Sequence, residues 1–163
     1  MRDVLRRLWM LPWPGLIRKT GEKLIEMPWA QPIIAPQYSV GVVGVIQDER
    51  GDVLLVRHTY RHEYPWGLPS GFLEHGEQPF PALAREIKEE TGLDVELSSV
   101  WEVYTSSERP LLNIIIHGRY RGGEFVPSPE VSEARFFPAS RLPPMMPEQR
   151  RLLVARMTQE VSH

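Results

Sequence analysis

Apolar and polar positions follow one another along residues 38–137 in the manner of short β-strands separated by turns. The apolar, β-branched segments 38–47 and 53–58 predict two strands, and the polar turn at 48–52 predicts that they form a hairpin. Residues 59–78 are rich in Gly, Pro and His and are predicted to be mostly loop. Further strands are expected at 95–105, 111–121 and 134–137.

Two segments have the 3.6-residue period of an amphipathic helix. In the first, 79–91, Pro79 and Pro81 suit the first turn, where a missing N–H breaks no intrahelical hydrogen bond. Gly92 suits the position just past the last turn, which favours a left-handed residue. A final helix is expected to begin at Pro147. Short strands with few helices predict an α+β fold.

Composition places the chain among ordinary globular proteins and excludes several kinds of site. The 163 residues favour one domain, and 42% are apolar and 25% charged. The absence of cysteine excludes thiolate metal ligands, a cysteine nucleophile and disulfides. A net charge of −2 gives no reason to expect nucleic-acid binding. We expect a cytoplasmic protein without a membrane-spanning helix, because no apolar run is long enough for one.

The N-terminal segment differs from the rest of the chain. Residues 1–36 carry a net charge of +3, against −5 for the remainder, and the apolar residues near the start follow helical spacing. We therefore divide the chain into an N-terminal extension at 1–36, with a linker at 28–37, and a domain at 37–163. The extension is expected to pack on its own domain or on a second subunit, which favours a homodimer. A membrane-surface anchor and a secretory signal are the alternatives.

Three carboxylates lie together on the first predicted helix. At about 100° per residue, Glu86, Glu89 and Glu90 fall within an arc of roughly 100° that borders the buried face. Such an arrangement is unfavourable alone, because like charges repel and the helix C-terminus is itself negative. A bound divalent cation would reverse this balance, and clustered carboxylate oxygens suit Mg²⁺ or Mn²⁺. The alternative is a solvated acidic face with an ion pair between Arg85 and Glu89.

The surrounding segment, residues 71–93, resembles the Nudix hydrolase signature G-x(5)-E-x(7)-R-E-U-x-E-E-x-G-U, in which U is a bulky aliphatic residue. Weaker resemblance extends over about 38–142 and leaves 1–36 outside. The fixed positions of the signature are occupied by Gly71, Glu77, Arg85, Glu86, Glu89, Glu90 and Gly92, with Ile87 and Leu93 at the aliphatic positions.

The resemblance implies an α/β/α sandwich with a mixed β-sheet and a loop–helix–loop motif. It also implies Mg²⁺-dependent hydrolysis of a nucleoside diphosphate linked to another group. By position, the metal ligands would be Glu86, Glu89 and Glu90, together with the backbone carbonyl of Ser70, where many members have glycine. Arg85 would orient the glutamates and Glu77 would be its partner or a more distant metal ligand.

The resemblance leaves the general base and the substrate open. The base would be a helix glutamate such as Glu89, or a loop glutamate, for which Glu130 and Glu133 are the candidates. Arg57 and Arg61 are candidates for binding phosphates, as are His58 and His62, and Trp66 for stacking on a base. The alternatives are an exposed strand end for the charged residues and core packing for Trp66.

For the substrate, the resemblance favours an NDP-sugar or an ADP-ribose type of molecule. A noncanonical nucleoside triphosphate is the second choice. A non-catalytic module that senses a nucleotide is an alternative of a different class, because fold alone does not imply function.

Overall fold

The computed structural model describes residues 37–107 and 109–160, without the side chains of 158–160. The predicted extension at 1–36, with its amphipathic segment, lies outside the described residues. Within the described part of the chain, no helix is both long and apolar enough to cross a membrane.

Seven strands and two α-helices make up the described chain. The strands are β1 (Ser39–Gln47), β2 (Val53–His58), β3 (Trp66–Gly67), β4 (Ser70–Phe72), β5 (Asp94–Thr105), β6 (Leu111–Gly122) and β7 (Val131–Phe137). The helices are α1 (Pro79–Thr91) and α2 (Pro147–Glu160), and a 3₁₀ turn covers Ala139–Arg141. The five predicted strands and both predicted helices are therefore present. The segment expected to be mostly loop, 59–78, also holds the short strands β3 and β4.

All seven strands belong to one mixed sheet, with β1 at its centre. β1 runs parallel to β6, from the pair Ser39–Leu111 to the pair Gln47–Arg119. β6 pairs antiparallel with β5, which forms one edge of the sheet. On the other side, β2 pairs antiparallel with both β3 and β7. The sheet is therefore mixed, as the resemblance implied.

The predicted β1–β2 hairpin is limited to its turn. The carboxylate of Asp48 accepts hydrogen bonds from the backbone N–H groups of Arg50 and Asp52, each at 2.9 Å. Beyond the turn, the strands pair only at Gln47 and Val53, because β4 pairs with β1 over residues 41–43. This insertion brings β4, where the motif begins, to the centre of the sheet.

The alternating side chains of β1 divide the core into two layers. Val42 and Ile46 belong to a cluster that also contains Leu83 and Ile87 of α1. Val43 and Val45 belong to a second cluster, which includes Leu153 of α2. One helix therefore packs on each face of the sheet, which is the α/β/α arrangement that the resemblance implied.

The ends of α1 are set by the residues that the sequence indicated. Proline occupies the first turn, and Gly92 follows the last turn in the left-handed region, with φ of 75°. The N–H of Gly92 donates to the carbonyl of Lys88 at 2.9 Å. A Cβ at Gly92 would lie 2.6 Å from the carbonyl oxygen of Glu124. Glycine is therefore required here by both the backbone angle and the available space.

His58 is a buried polar residue at the end of β2. Its side chain is only 3% exposed, and among the described residues neither ring nitrogen has a hydrogen-bond partner. Burial, assisted by the nearby Arg61 cation, lowers the pKa of His58 to about 4. The imidazole is therefore neutral in the folded protein at neutral pH.

Replacing His58 should make stability less dependent on pH. The unfolded chain binds a proton at His58 near pH 6.5, whereas the folded protein does so only near pH 4. Stability is therefore lost as the pH falls through this range, by about 2.5 kcal/mol between about pH 7.5 and about pH 4.5. Urea unfolding of the wild type and His58→Gln at both pH values measures this loss, which the variant should lack. An equal loss in both proteins would contradict it.

Candidate active site

Arg85 lies at the centre of the carboxylate cluster on α1. Its guanidinium donates to both carboxylate oxygens of Glu77, from Nε and Nη2, each at 2.9 Å. Its Nη1 lies 3.2 Å from an oxygen of Glu86 and 3.2 Å from an oxygen of Glu89. The i,i+4 ion pair between Arg85 and Glu89, which the sequence suggested under the alternative of a solvated acidic face, is therefore present. One cation thus contacts three carboxylates.

Glu77 holds Arg85 in place. The bidentate contact with Arg85, together with the N–H of Glu74 at 3.1 Å, lowers the pKa of Glu77. Arg85 in turn has its pKa raised, chiefly by Glu77. Bidentate pairs between arginine and carboxylate fix orientation as well as charge. The predicted contact between the two residues is therefore present, and both oxygens of Glu77 are used in it.

Glu86 passes directly over Gly71 of β4. A Cβ at position 71 would lie 2.2 Å from both Cγ and Cδ of Glu86, so any larger residue would require the Glu86 side chain to move. The N–H of Phe72 lies 3.4 Å from Oε1 of Glu86, and its carbonyl accepts from Arg85 at 3.4 Å. The first glycine of the motif therefore allows the helix carboxylate to lie against the strand backbone.

Of the three clustered helix carboxylates, Glu90 is the one for which the described residues provide no cation in contact. Its Oε2 is buried and, within the described part of the chain, accepts no hydrogen bond. Burial, and then the charges of Glu130 and Glu86, raise the pKa of Glu90 to about 7, although Arg61 opposes this shift. A buried carboxylate without a partner is unfavourable, and a cation bound beside it would stabilise its charged form.

The carboxylate oxygens of Glu86, Glu89 and Glu90 are ligands of the type that a hard divalent cation prefers, although they are not arranged as a complete metal site. Among residues 37–107 and 109–160, no group of three or more acidic or histidine side chains is arranged to hold a metal ion. Oε2 of Glu90 has no hydrogen-bond partner among the described residues, and the side chain of Glu89 is 61% exposed. Mg²⁺ suits such a site, because it keeps several waters and takes other oxygens from substrate phosphates.

Ser70, whose carbonyl the resemblance places in the metal shell, is the first residue of β4. It pairs with Val43 of β1. No described residue other than glycine has a positive φ, so Ser70 fits its position without backbone strain. A serine in place of the glycine that many members have is therefore tolerated here, and a role for its carbonyl stays a prediction.

The two glutamates proposed as loop bases lie in different environments. Glu130 immediately precedes β7, where its carbonyl accepts the N–H of Thr59 at 2.9 Å, and its charge acts on Glu90. Glu133 was expected in a loop, but it lies within β7 and forms ion pairs with Arg57 at 3.5 Å and Arg135 at 2.6 Å. The structure thus brings only Glu130 close to the helix carboxylates.

The candidate substrate-binding residues also lie in different environments. Arg57 pairs with Glu133. Trp66 lies opposite Arg57 in the sheet and packs edge-on against Phe137, with ring centroids 5.1 Å apart. Arg61 instead has a buried Nη1 without a partner among the described residues, and its charge acts on Glu90. Substrate binding by Arg57 and Trp66 stays a prediction, while Arg61 is the candidate beside the carboxylates.

A cleft that the sequence did not indicate lies between the sheet and α2. It has a volume of about 370 Å³ and an apolar floor formed by Val43, Leu68 and Ile115. Tyr104 of β5 and Gln149 of α2 are among the residues at its sides. Because these residues are separated by up to about 100 positions in sequence, only the folded arrangement brings them together.

Comparisons with known proteins agree with this architecture. A family model described as the NUDIX domain matches residues 36–157. The ADP-ribose pyrophosphatase of Methanocaldococcus jannaschii is 35% identical over 109 residues, which are 64% of this chain and 64% of that protein. The NAD-capped RNA hydrolase NudC of Stutzerimonas stutzeri is 30% identical over 138 residues, which are 80% of this chain and 48% of that protein. The chain thus spans roughly half to two-thirds of these curated relatives.

A solved structure shows the same fold. The crystal structure of an ADP-ribose pyrophosphatase from Streptococcus suis matches with a TM-score of 0.63 and 28% identity, over 76% of this chain and 92% of that one. The residues that the family model matches, 36–157, contain the mixed sheet and the loop–helix–loop at 71–93. On the family model and on this shared architecture, the chain belongs to the Nudix hydrolase family.

Proposed function

We propose that the protein is a Mg²⁺- or Mn²⁺-dependent pyrophosphohydrolase that cleaves the diphosphate of a nucleoside diphosphate derivative. The observation that carries this proposal is the buried Oε2 of Glu90, which accepts no hydrogen bond from any described residue, on the same helix as Glu86 and Glu89. Arg85 supplies one positive charge against these three acids and Glu77, so the site has an excess of negative charge. Such an excess is suited to a divalent cation that also binds phosphate oxygens.

In this proposal, Glu86, Glu89 and Glu90 would hold the metal, with the carbonyl of Ser70 as a further ligand. A bound cation would neutralise the diphosphate oxygens and lower the pKa of an attacking water. Arg85, fixed by Glu77, keeps the side chains of Glu86 and Glu89 in place through its Nη1. This fixed arrangement reduces the reorganisation that the site needs when charge develops on the phosphate.

Two carboxylates are suited to accept the proton of the attacking water. Glu89 is 61% exposed and therefore reaches solvent, although Arg85 holds one of its oxygens. Glu130 is exposed and close enough to influence the charge of Glu90. In either case the carboxylate receives the water proton while the water oxygen forms a bond to phosphorus and the other phosphate group leaves.

An ADP-ribose or NDP-sugar type of substrate has support from the comparisons. The relatives from M. jannaschii and S. suis are both described as ADP-ribose pyrophosphatases. A noncanonical nucleoside triphosphate remains the second candidate.

Neutralising Glu89 or Glu90 should abolish turnover without unfolding the protein. We expect Glu89→Gln and Glu90→Gln each to lower kcat/KM by about 100-fold or more, because each removes a charge that stabilises the metal-bound state. Release of nucleoside monophosphate from ADP-ribose with Mg²⁺ measures this, and EDTA should stop it. Glu124→Gln, at an exposed residue after β6, is the matched control and should keep wild-type activity. Near-normal turnover in both helix variants would refute the proposal.

Adding one methyl group at Gly71 should displace Glu86. We expect Gly71→Ala to lower kcat/KM by about tenfold or more, because its Cβ would occupy the position of the Glu86 side chain. Gly44→Ala adds the same methyl group to β1, 3.3 Å from Leu83, and should have a much smaller effect. Both variants are compared by kinetics and by unfolding temperature. Equal losses of activity in the two variants would mean that the close approach at Gly71 is unimportant.

A substrate panel should distinguish the candidate classes. With Mg²⁺ or Mn²⁺, we expect kcat/KM for ADP-ribose or an NDP-sugar to exceed that for noncanonical nucleoside triphosphates by about tenfold or more. Product analysis by chromatography should give a nucleoside monophosphate and a sugar phosphate. Release of inorganic pyrophosphate from a triphosphate at the higher efficiency would favour the second candidate.

A further inference from the structure

Four directly paired residues form a row across the sheet. In order from β4 to β5, they are Phe72, Gly41, Asn113 and Tyr104. Side chains of directly paired residues project from the same face of a sheet, so these four residues share one face. Phe72 is 58% exposed and Tyr104 is 39% exposed. This set, named the Gly41 row below, therefore has an accessible aromatic ring at each end.

The Gly41 row lies on the face of the sheet that carries the cleft. Val43 of β1 and Ile115 of β6 are two residues further along their strands than the row and therefore project from the same face. Val43, Ile115 and Tyr104 all line the cleft. Because a strand rises about 3.3 Å per residue, the row is about 7 Å from Val43 and Ile115. The row thus continues the surface of the cleft toward the start of β1.

The side chain of Asn113 lies over Gly41. A Cβ at Gly41 would be 3.0 Å from Oδ1 of Asn113, so the missing side chain leaves the space that the amide occupies. Among the described residues, the amide of Asn113 has no hydrogen-bond partner. An amide offers one acceptor oxygen and two N–H donors, which can pair with a donor and an acceptor on the edge of a nucleobase. Aromatic side chains bind the flat surface of a base. The row has both kinds of group.

Phe72 connects the Gly41 row with the carboxylate cluster of α1. Its backbone N–H lies 3.4 Å from Oε1 of Glu86, and its carbonyl accepts from Arg85 at 3.4 Å. β4 pairs with β1, and its other edge has no strand partner within the described chain. A ligand that passes this edge can therefore contact the helix residues at one end and the ring of Phe72 at the other.

We propose that the Gly41 row is a nucleobase subsite, in which Asn113 forms hydrogen bonds with the base while Phe72 and Tyr104 contact its ring. This subsite rests on the proposed function, because it assigns a position to the base of the nucleoside diphosphate derivative. The diphosphate would lie at the carboxylates of α1, and the nucleoside would pass the unpaired edge of β4 to reach the row. Asn113 is then a specificity-determining residue that takes no part in the chemical step.

The amide of Asn113 provides a direct test, because it is the only asparagine in the sequence. In the full-length protein labelled with ¹⁵N-asparagine, its side-chain NH₂ group gives a single pair of NMR signals. With Mg²⁺ present, we expect AMP, GMP or UMP to shift these signals. Ribose 5-phosphate, which has the sugar and the phosphate without a base, should not shift them. No shift with any nucleotide, or an equal shift with ribose 5-phosphate, would overturn the subsite.

Removing the ring of Phe72 should weaken nucleotide binding. We expect Phe72→Ala to raise the Kd of the nucleotide that gives the largest shift by about fivefold or more, because a contact with the base is lost. Val103→Ala is the matched control. Val103 is 54% exposed and precedes Tyr104 in β5, so it projects from the opposite face and its truncation should leave the Kd unchanged. A wild-type Kd in Phe72→Ala, or an equal increase in both variants, would contradict the subsite.

Kinetics test the role of Asn113 in specificity. Asn113→Leu keeps the size of the side chain and removes its hydrogen bonds. We expect KM to rise by about tenfold and kcat to stay within about threefold, because the lost interaction is made in both the ground state and the transition state. The ratios of kcat/KM between substrates that differ only in the base should also approach one. Unchanged KM and unchanged ratios, in a variant with the wild-type unfolding temperature, would refute the assignment of Asn113.

The two proposals fail in distinguishable ways. If the protein hydrolyses its substrate but the Asn113 amide responds to no nucleotide, the subsite is wrong and the enzyme assignment stands. If nucleotides shift the amide but no diphosphate compound is hydrolysed, the subsite is supported and the catalytic proposal fails. If the amide signals move with protein concentration and with no nucleotide, a second copy of the chain covers the row, which also overturns the subsite.

Discussion

The charge-assisted contact between Arg85 and Glu77 is the interaction on which the site depends. Nε and Nη2 of Arg85 each donate to one carboxylate oxygen of Glu77 at 2.9 Å, which fixes the orientation of the guanidinium. In this orientation Nη1 also contacts Glu86 and Glu89. Without this contact, α1 would present several like charges within little more than a turn, which is unfavourable by itself. The arginine relieves only part of that repulsion, because Glu90 lies beyond its reach. In the proposed function, the remaining negative charge would attract a cation.

The fold supports this site by anchoring both ends of α1. At its start, the helix follows the loop that leaves β4, a strand inserted beside the central strand β1. At its end, Gly92 reverses the chain into β5, and Lys88 binds both the carbonyl of Gly92 at 3.0 Å and Asp94 at 2.7 Å. Leu83 and Ile87 bury one side of the helix against the sheet. The acidic side consequently has a fixed position relative to β4.

Local features of the sequence predicted those parts of the fold that depend on local chemistry. The bounds of α1, its first-turn prolines, the left-handed Gly92 and the contact between Arg85 and Glu77 all depend on residues close in sequence. The pairing of strands that are distant in sequence was harder to predict from the sequence. β4 displaced most of the expected hairpin, and Glu133 became part of β7, because these outcomes depend on which edges are already occupied. His58 and Gln149 meet above Gly67 only after β2, β3 and α2 have packed, so no local pattern could predict that they lie together.

The glycine at position 71 limits how the segment 71–93 can be moved between proteins. Because the Glu86 side chain occupies the space of the absent Cβ, strand and helix fit each other as a matched pair. Grafting 79–91 alone onto another scaffold would transfer the acidic residues without the surface that orients one of them. The smallest segment that could be transferred intact therefore runs from β4 through α1. Redesigned versions of the helix should keep glycine at position 71.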